Sequence, residues 1–303
     1  MPAGPETLAP VAVRPVCKTR MLLGEGVCWH EGSVYWVDIE AAQLRAWSPL
    51  QRVARMRVWS LPQRIGWVVP RAGGGWLAGL QAGVALLQLG SAREPRLQWL
   101  HMLHEPDSPM RLNDAKVDRR GRLWLGTMHM HRHDTAQGRL WRLDTDLSLH
   151  LVDDAYHIPN GPAFSPDGRT MYHTDSALGV VYAYPLDSEG QPGRRRVWWQ
   201  AGPGEGSPDG MTCDASGRVW IAHWGGACVS CHAPDDAAML LRLPVPALQP
   251  SNVCFGGPHL RDLYISSARI GLDGAMLRAW PGSGALLCAP EVAQGLAQES
   301  FRG

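Results

Sequence analysis

Glu25, Gly66, Asn113, Asn160, Asp209 and Asn252 each stand ten to twelve residues ahead of an aromatic residue in a recurring phrase. Two carboxylates and three amides at one register make an oxygen-rich set. Hard cations such as Ca²⁺ and Mg²⁺ take ligands of this mixed kind. Carboxylate with amide oxygen can also hold Zn²⁺ or Mn²⁺, although sites rich in His or Cys hold those better. Arg64 and Arg111 lie two residues upstream in two of the copies. Taken singly, Asn113-Asp114, Asn160-Gly161 and Asp209-Gly210 read as turn dipeptides ahead of strands. Four copies sharing one register, one of them with Glu25, a poor turn residue, favour a site.

Such a site needs an architecture that brings distant residues to one axis. The copies of the phrase are HEGSVYWVD, PRAGGGWLAG, DRRGRLWLGT, SPDGRTMYHTD, DASGRVWIAH and GPHLRDLYIS, anchored on Tyr35, Trp76, Trp124, Tyr172, Trp220 and Tyr264. The anchors are spaced by 41, 48, 48, 48 and 44 residues. Each unit holds three or four short segments rich in Val, Ile, Leu, Trp and Tyr, separated by Gly, Pro, Asp and Ser. Segments 44–49, 140–145 and 180–187 read as the strand after the aromatic one. No segment sustains helical periodicity over three turns with caps at both ends. A period of this length with about four strands per unit predicts an all-β fold: a six-bladed β-propeller with four-stranded antiparallel blades. A sandwich would not repeat its aromatic anchor at one period. Residues 1–303 are expected to form a single domain, with 1–20 an N-terminal segment or part of the closing blade. In a propeller the first strand of each blade lines the central channel, so the polar residues would meet at one mouth.

Composition narrows the partners. The chain is 45% hydrophobic and 19% charged, with a formal net charge of +1, which supplies no electrostatic case for nucleic acid or an anionic membrane. Gly 34 and Pro 24 stay below the level of a disordered low-complexity chain. No apolar run reaches membrane-spanning length, and the first 20 residues lack the continuous apolar stretch of a secretion signal. Seven irregularly placed cysteines argue against a disulfide framework. The expectation is a cytoplasmic protein with reduced thiols and a small-molecule substrate, its oligomeric state open.

The phrases carrying these residues resemble the SMP-30/gluconolactonase family, which includes regucalcin. LLGEGVCW (22–29), IGWVVPRAGGGWLAGL (65–80), RLNDAKVDRRGRLWLGTM (111–128), IPNGPAFSPDGRTMYHTDS (158–176), SPDGMTCDASGRVWIAHWGG (207–226) and VCFGGPHLRDLYISSAR (253–269) follow in family order. The resemblance covers residues 21 to 303. It implies a propeller with one divalent metal at the top of the channel and hydrolysis of a sugar lactone, aldonolactone to aldonic acid. It also implies Glu25, Asn160 and Asp209 as metal ligands and Arg111 and Asn113 as substrate contacts. His131 falls where members often carry a substrate-binding acid; Ala115 and Pro162 are further departures. The metal, Ca, Zn, Mn, Mg or Fe, would polarise the lactone carbonyl and activate water. Asp209 is the expected proton acceptor, and Arg111 and Asn113 would support the oxyanion. A non-catalytic calcium-binding regulatory propeller, or a metal-dependent hydrolase of another ester, are the alternatives.

Rival features are weaker. His129, His131 and His133 would share one face of a strand, but they sit where a loop should begin. Cys228 and Cys231 have no second pair at zinc spacing and would face opposite sides of a strand. GPGEG (202–206) lacks a following helix and reads as a turn, and no GxSxG or HExxH occurs. The 14 tryptophans come without a basic stripe, and RRRVWW (194–199) reads as an outer strand edge.

Overall fold

The computed structural model describes residues 11–50 and 56–303. After β1 (Arg14–Pro15), the first blade is β2 (Gly24–His30), β3 (Ser33–Asp38), β4 (Gln43–Trp47) and β5 (Arg57–Ser60). The second is β6 (Ile65–Pro70), β7 (Trp76–Leu80), β8 (Gly83–Gln88) and β9 (Arg96–Met102). The third is β10 (Met110–Val117), β11 (Leu123–His129), β12 (Gly138–Leu143) and β13 (Leu149–Tyr156). The fourth is β14 (Pro159–Phe164), β15 (Thr170–Asp175), β16 (Val180–Pro185) and β17 (Arg196–Gln200). The fifth is β18 (Ser207–Cys213), β19 (Val219–Trp224), β20 (Cys228–His232) and β21 (Met239–Pro244). The sixth contains β22 (Gln249–Gly256), β23 (Asp262–Ala268) and, after the short helix α1 (Gly274–Ala279), β24 (Leu287–Ala289). The fold is a six-bladed β-propeller of four-stranded antiparallel blades.

The ring closes through the N-terminal segment. Strand β1 pairs antiparallel with β24 as the outermost strand of the sixth blade, Arg14 opposite Cys288 and Pro15 opposite Leu287. An edge position suits Pro15, which has no N–H to give to a further neighbour.

Every anchor aromatic lies on the second strand of its blade, sandwiched between neighbouring blades. Tyr35 packs on Trp76, Trp124 on Phe164, Trp220 on Phe255, and Tyr264 stacks on Trp29 across the closure. Both faces of these strands are covered. On β11, Leu123 and Leu125 join Trp67 and Leu77 of the second blade, while Trp124 joins Met171 and Tyr184 of the fourth. Two covered faces explain near-continuous apolar runs in place of alternation.

The inner strands share one irregularity. Each loses register with its neighbour at the same depth: between Glu25 and Cys28, Ile65 and Trp67, Leu112 and Ala115, Asn160 and Ala163, Pro208 and Met211, and Pro250 and Asn252. These are β-bulges, which turn side chains out of the pleat. Asn113-Asp114, Asn160-Gly161 and Asp209-Gly210 are therefore not turns ahead of strands. They sit inside β10, β14 and β18, and Gly161 supplies the left-handed backbone (φ 82) that its bulge requires.

Candidate active site

The six bulges ring the end of the channel at which the inner strands begin. Glu25, Asn113, Asn160, Asp209 and Asn252 are all buried there. Their contacts form two chains. In the first, Arg111 donates through Nη1 to Asn113 Oδ1 at 2.6 Å and to the Leu112 carbonyl at 3.1 Å. Asn113 Nδ2 donates in turn to Asn160 Oδ1 at 2.7 Å and to the Pro159 carbonyl at 2.8 Å. Asn160 Nδ2 is held by Ser176 Oγ at 2.8 Å, and that hydroxyl donates to the Pro208 carbonyl at 2.6 Å. The amide of Asn160 is thus fixed at both ends, its oxygen by Asn113 and its nitrogen by Ser176.

In the second chain, Glu25 Oε2 accepts from its neighbour Gly26 N at 3.1 Å and from Asn252 Nδ2 at 3.3 Å. Asn252 Nδ2 also donates to Asp114 Oδ2 at 3.0 Å, and Asp114 accepts from Ala115 N and Gly161 N. Beneath Asp114 and Asn252 the channel widens into a cavity of about 320 Å³, lined by the later halves of the inner strands and by residues 296–299. The two side chains form part of its lining.

Asp209 is the exception. Its Oδ1 is buried without a hydrogen-bond partner. Burial raises its carboxyl well above the usual range, and the charges of Glu25 and Asp114 add to this. Burial, then Asp114, pushes Glu25 up to about 8, and burial also raises Asp114. Arg111 moves down to about 10 because burial disfavours its charge. Three buried acids face one buried arginine, so the cluster lacks the positive charge to balance them.

That lack, together with the two carboxylates and the amide oxygen of Asn160, fits a hard divalent cation. Among the described residues no three His, Cys, Asp or Glu side chains gather as a ligand group, so any such site depends on amide oxygen for its remaining donors. Glu25, Asn160 and Asp209 would hold the ion; Asp114, with both oxygens engaged by backbone and amide donors, faces away from that task.

Arg111 and Asn113 are brought together with Asn160. His131 stands apart. Strand β11 ends at His129, and His131 and His133 lie in the exposed loop that follows. Because Met128 pairs with Arg111, this loop leaves from the same end of the blade as the site. His129 Nδ1 accepts from the backbone N–H groups of His131 and Arg132, and His133 Nε2 lies 3.0 Å from the Met130 carbonyl. Among the described residues no hydrogen bond joins His131 to the other site residues. Cys228 and Cys231 lie on β20, and all seven cysteines are free. GPGEG is a turn in which Gly202 N donates to Glu205, and Arg196–Gln200 forms an outer strand. No helix among the described residues is long and apolar enough to cross a membrane.

Sequence reasoning missed Asp114 and Ser176 as parts of the site. Asp114 was visible only as half of a turn-like dipeptide, and Ser176 lies on the loop after β15, outside the register that the repeats define.

Known proteins resemble this chain over nearly all its length. A 6-deoxy-6-sulfogluconolactonase of Pseudomonas putida is 34% identical over 98% of this chain and 99% of its own. A pentonolactonase of Haloferax volcanii is 36% identical over 88% of each. The crystal structure of a regucalcin from Agrobacterium tumefaciens, described as a calcium-binding protein, superposes with a TM-score of 0.90 at 28% identity, covering 98% of this chain and 99% of that one. Residues 23–269 match the SMP-30/Gluconolactonase/LRE-like region, and the chain belongs to that family.

Proposed function

We propose that this protein is a divalent-metal-dependent hydrolase that opens a sugar lactone to the aldonic acid. The observation that carries the reading is the partnerless buried Oδ1 of Asp209, in the field of Glu25, Asp114 and Arg111. The names of the lactonase relatives support the substrate class.

Glu25, Asn160 and Asp209 would hold the ion. Once bound, it supplies Lewis-acid polarisation of the lactone carbonyl and lowers the pKa of water. Asp209 Oδ1, free of protein donors, accepts the proton of the attacking water. Arg111, pinned by Asn113 Oδ1, donates to the carbonyl oxygen as negative charge develops there. Asn113, in contact with Arg111 on one side and Asn160 on the other, orients the substrate. The new C–O bond forms as the ring ester bond breaks, and the proton taken from water passes to the leaving alkoxide. The nascent carboxylate lies beside Arg111. His131, on the rim loop, contacts the distal part of the sugar. We take residues 1–303 as one domain, with β1 tied into the sixth blade in support. We place it in the cytoplasm, where the seven free thiols would stay reduced.

The test is proton release from a panel of aldonolactones by metal-stripped protein, with Ca²⁺, Mg²⁺, Mn²⁺, Zn²⁺ and Fe²⁺ added singly. Hydrolysis is expected only with an ion and is expected to vanish in Asn160→Ala and Asp209→Ala. Tight ion binding without turnover on any lactone would favour the calcium-binding regulator, the reading that the regucalcin likeness supports.

A further inference from the structure

We infer that Asn252, on the blade that closes the ring, is a positioning residue that fixes the Glu25 carboxylate for the ion; this rests on the metal-binding reading above. Asn252 is fully buried, and every polar atom of its side chain is used. Its Oδ1 accepts from Val253 N at 2.8 Å. Its Nδ2 divides two donors between carboxylates of two different blades, Glu25 Oε2 of the first and Asp114 Oδ2 of the third. The sixth blade neighbours the first but lies opposite the third, so this amide group spans the channel axis.

The consequence for Glu25 is directional. With Oε2 engaged by Gly26 N and Asn252 Nδ2, the carboxylate is turned so that Oε1 is left for the mouth. The consequence for Asp114 is separation: an N–H group stands between two acids that would otherwise face each other, and Asp114 in turn holds the backbone N–H of Gly161, next to Asn160. One run of contacts, Glu25–Asn252–Asp114–Gly161, therefore ties two of the three proposed ligand positions together without using the oxygens they would offer an ion. Groups that orient ligands from behind commonly change metal affinity by about ten- to a hundredfold when lost.

The neighbouring blade is built around the same amide. A Cβ on Gly210, the residue after Asp209, would lie 2.4 Å from Asn252 Cγ and 2.5 Å from its Nδ2. Gly210 does not occupy the left-handed region, so the glycine is needed for space there. Alanine at 210 would push the amide off its two carboxylates while leaving the residue itself in place.

The experiment titrates the metal-stripped full-length protein with Ca²⁺ and with Mn²⁺ by calorimetry, and records ion-free thermal midpoints alongside. Asn252→Ala is expected to weaken the ion by about ten- to a hundredfold. Gly210→Ala is expected to weaken it in the parent background and to add nothing to Asn252→Ala, because both act through one amide. A purely structural role would move the thermal midpoints and leave the affinities alone. A folded Asn252→Ala protein that binds the ion like the parent overturns the inference and leaves the metal reading standing. Should Asn252→Ala not fold, Gly210→Ala decides by the same criterion. A parent protein that binds neither ion removes the metal reading and this inference with it.

Discussion

Asp118 and Asp214 are buried as deeply as Glu25 and Asp209, at 4% and 0% exposure against 7% and 5%, but the protein treats the two pairs differently. Asp118 receives the backbone N–H groups of Arg120 and Arg122 on Oδ1, and Arg122 Nε and Trp124 Nε1 on Oδ2, each within 3.0 Å. Asp214 repeats the arrangement with Ser216, Arg218 and Trp220. Glu25 has two donors on one oxygen, and Asp209 Oδ1 has none. Burial is equal and compensation is not. In the hairpins the carboxylate is neutralised by its own blade and secures the turn. At the channel mouth Gly26, Asn252 and Arg111 compensate the acids only in part.

The sharpest way to break this comparison is to remove one acid of each kind. Asp118→Ala leaves a buried guanidinium, an indole N–H and two backbone N–H groups without their acceptor, and it should cost about 3–5 kcal/mol of stability. Asp209→Asn removes an acid whose charge burial, Glu25 and Asp114 already disfavour. In the ion-free state it should hold or raise stability, within about 1 kcal/mol of the parent. Its ion affinity should fall on the order of a hundredfold or more, since a ligand matters at least as much as the groups behind it. Urea unfolding of the ion-free proteins and calorimetric titration check both. If Asp209→Asn cost as much stability as Asp118→Ala, the two classes of carboxylate would be one.

The hairpin class was legible in the sequence because its parts are local. Asp118, Arg122 and Trp124 fall within seven residues, Asp214, Arg218 and Trp220 repeat the spacing, and the period of that phrase reveals the blades. The proposed ligand positions could be grouped only by superimposing the copies, since Glu25 and Asp209 meet in space through the ring and not along the chain. What stayed hidden depends on irregularity. A bulge has no sequence period, so nothing marked Asp114 as a buried partner of Asn252. The two-residue strand Arg14–Pro15 is too short to show alternation, which left open how the ring closes. The reach of His131 depends on a loop, where strand geometry no longer dictates direction.

A smaller effect concerns a buried polar group of a third kind. His173 on β15 is fully buried, packs edge-on against Tyr156 at 4.8 Å, and has no hydrogen-bond partner on either ring nitrogen. Burial, with a contribution from Arg195, pulls it down from 6.5 to about 3. The unfolded chain therefore takes up a proton near pH 6.5 and the folded one does not until about pH 3. The stability this site contributes is complete above pH 6.5 and is lost as pH falls from there toward 3, at up to about 1.4 kcal/mol per pH unit. His173→Phe removes both the unpaired nitrogens and the titration. It should gain about 1–2 kcal/mol at pH 7, and more at pH 5, in urea midpoints measured side by side. A loss at pH 7 would mean that the imidazole is satisfied after all.

The smallest effect belongs to His131, whose surroundings contrast with every group above. It is exposed, its backbone N–H is tied to His129 Nδ1, and its ring lies edge-on to that of His129 at 6.1 Å. In the proposed role, an exposed ring on a rim loop would meet substrate and transition state alike, so its contribution would fall on KM and not on kcat. His131→Ala should raise KM for the best lactone by about fivefold or less, consistent with the modest worth of exposed polar contacts, and leave kcat unchanged. His131→Glu exchanges a donor for an acceptor that reads hydroxyl groups, and it should reorder the lactone panel by KM alone. Steady-state kinetics on both variants separate the two parameters. A fall in kcat beyond tenfold would place His131 against the reacting atoms, and the loop after β11 would then have to close over the mouth during turnover.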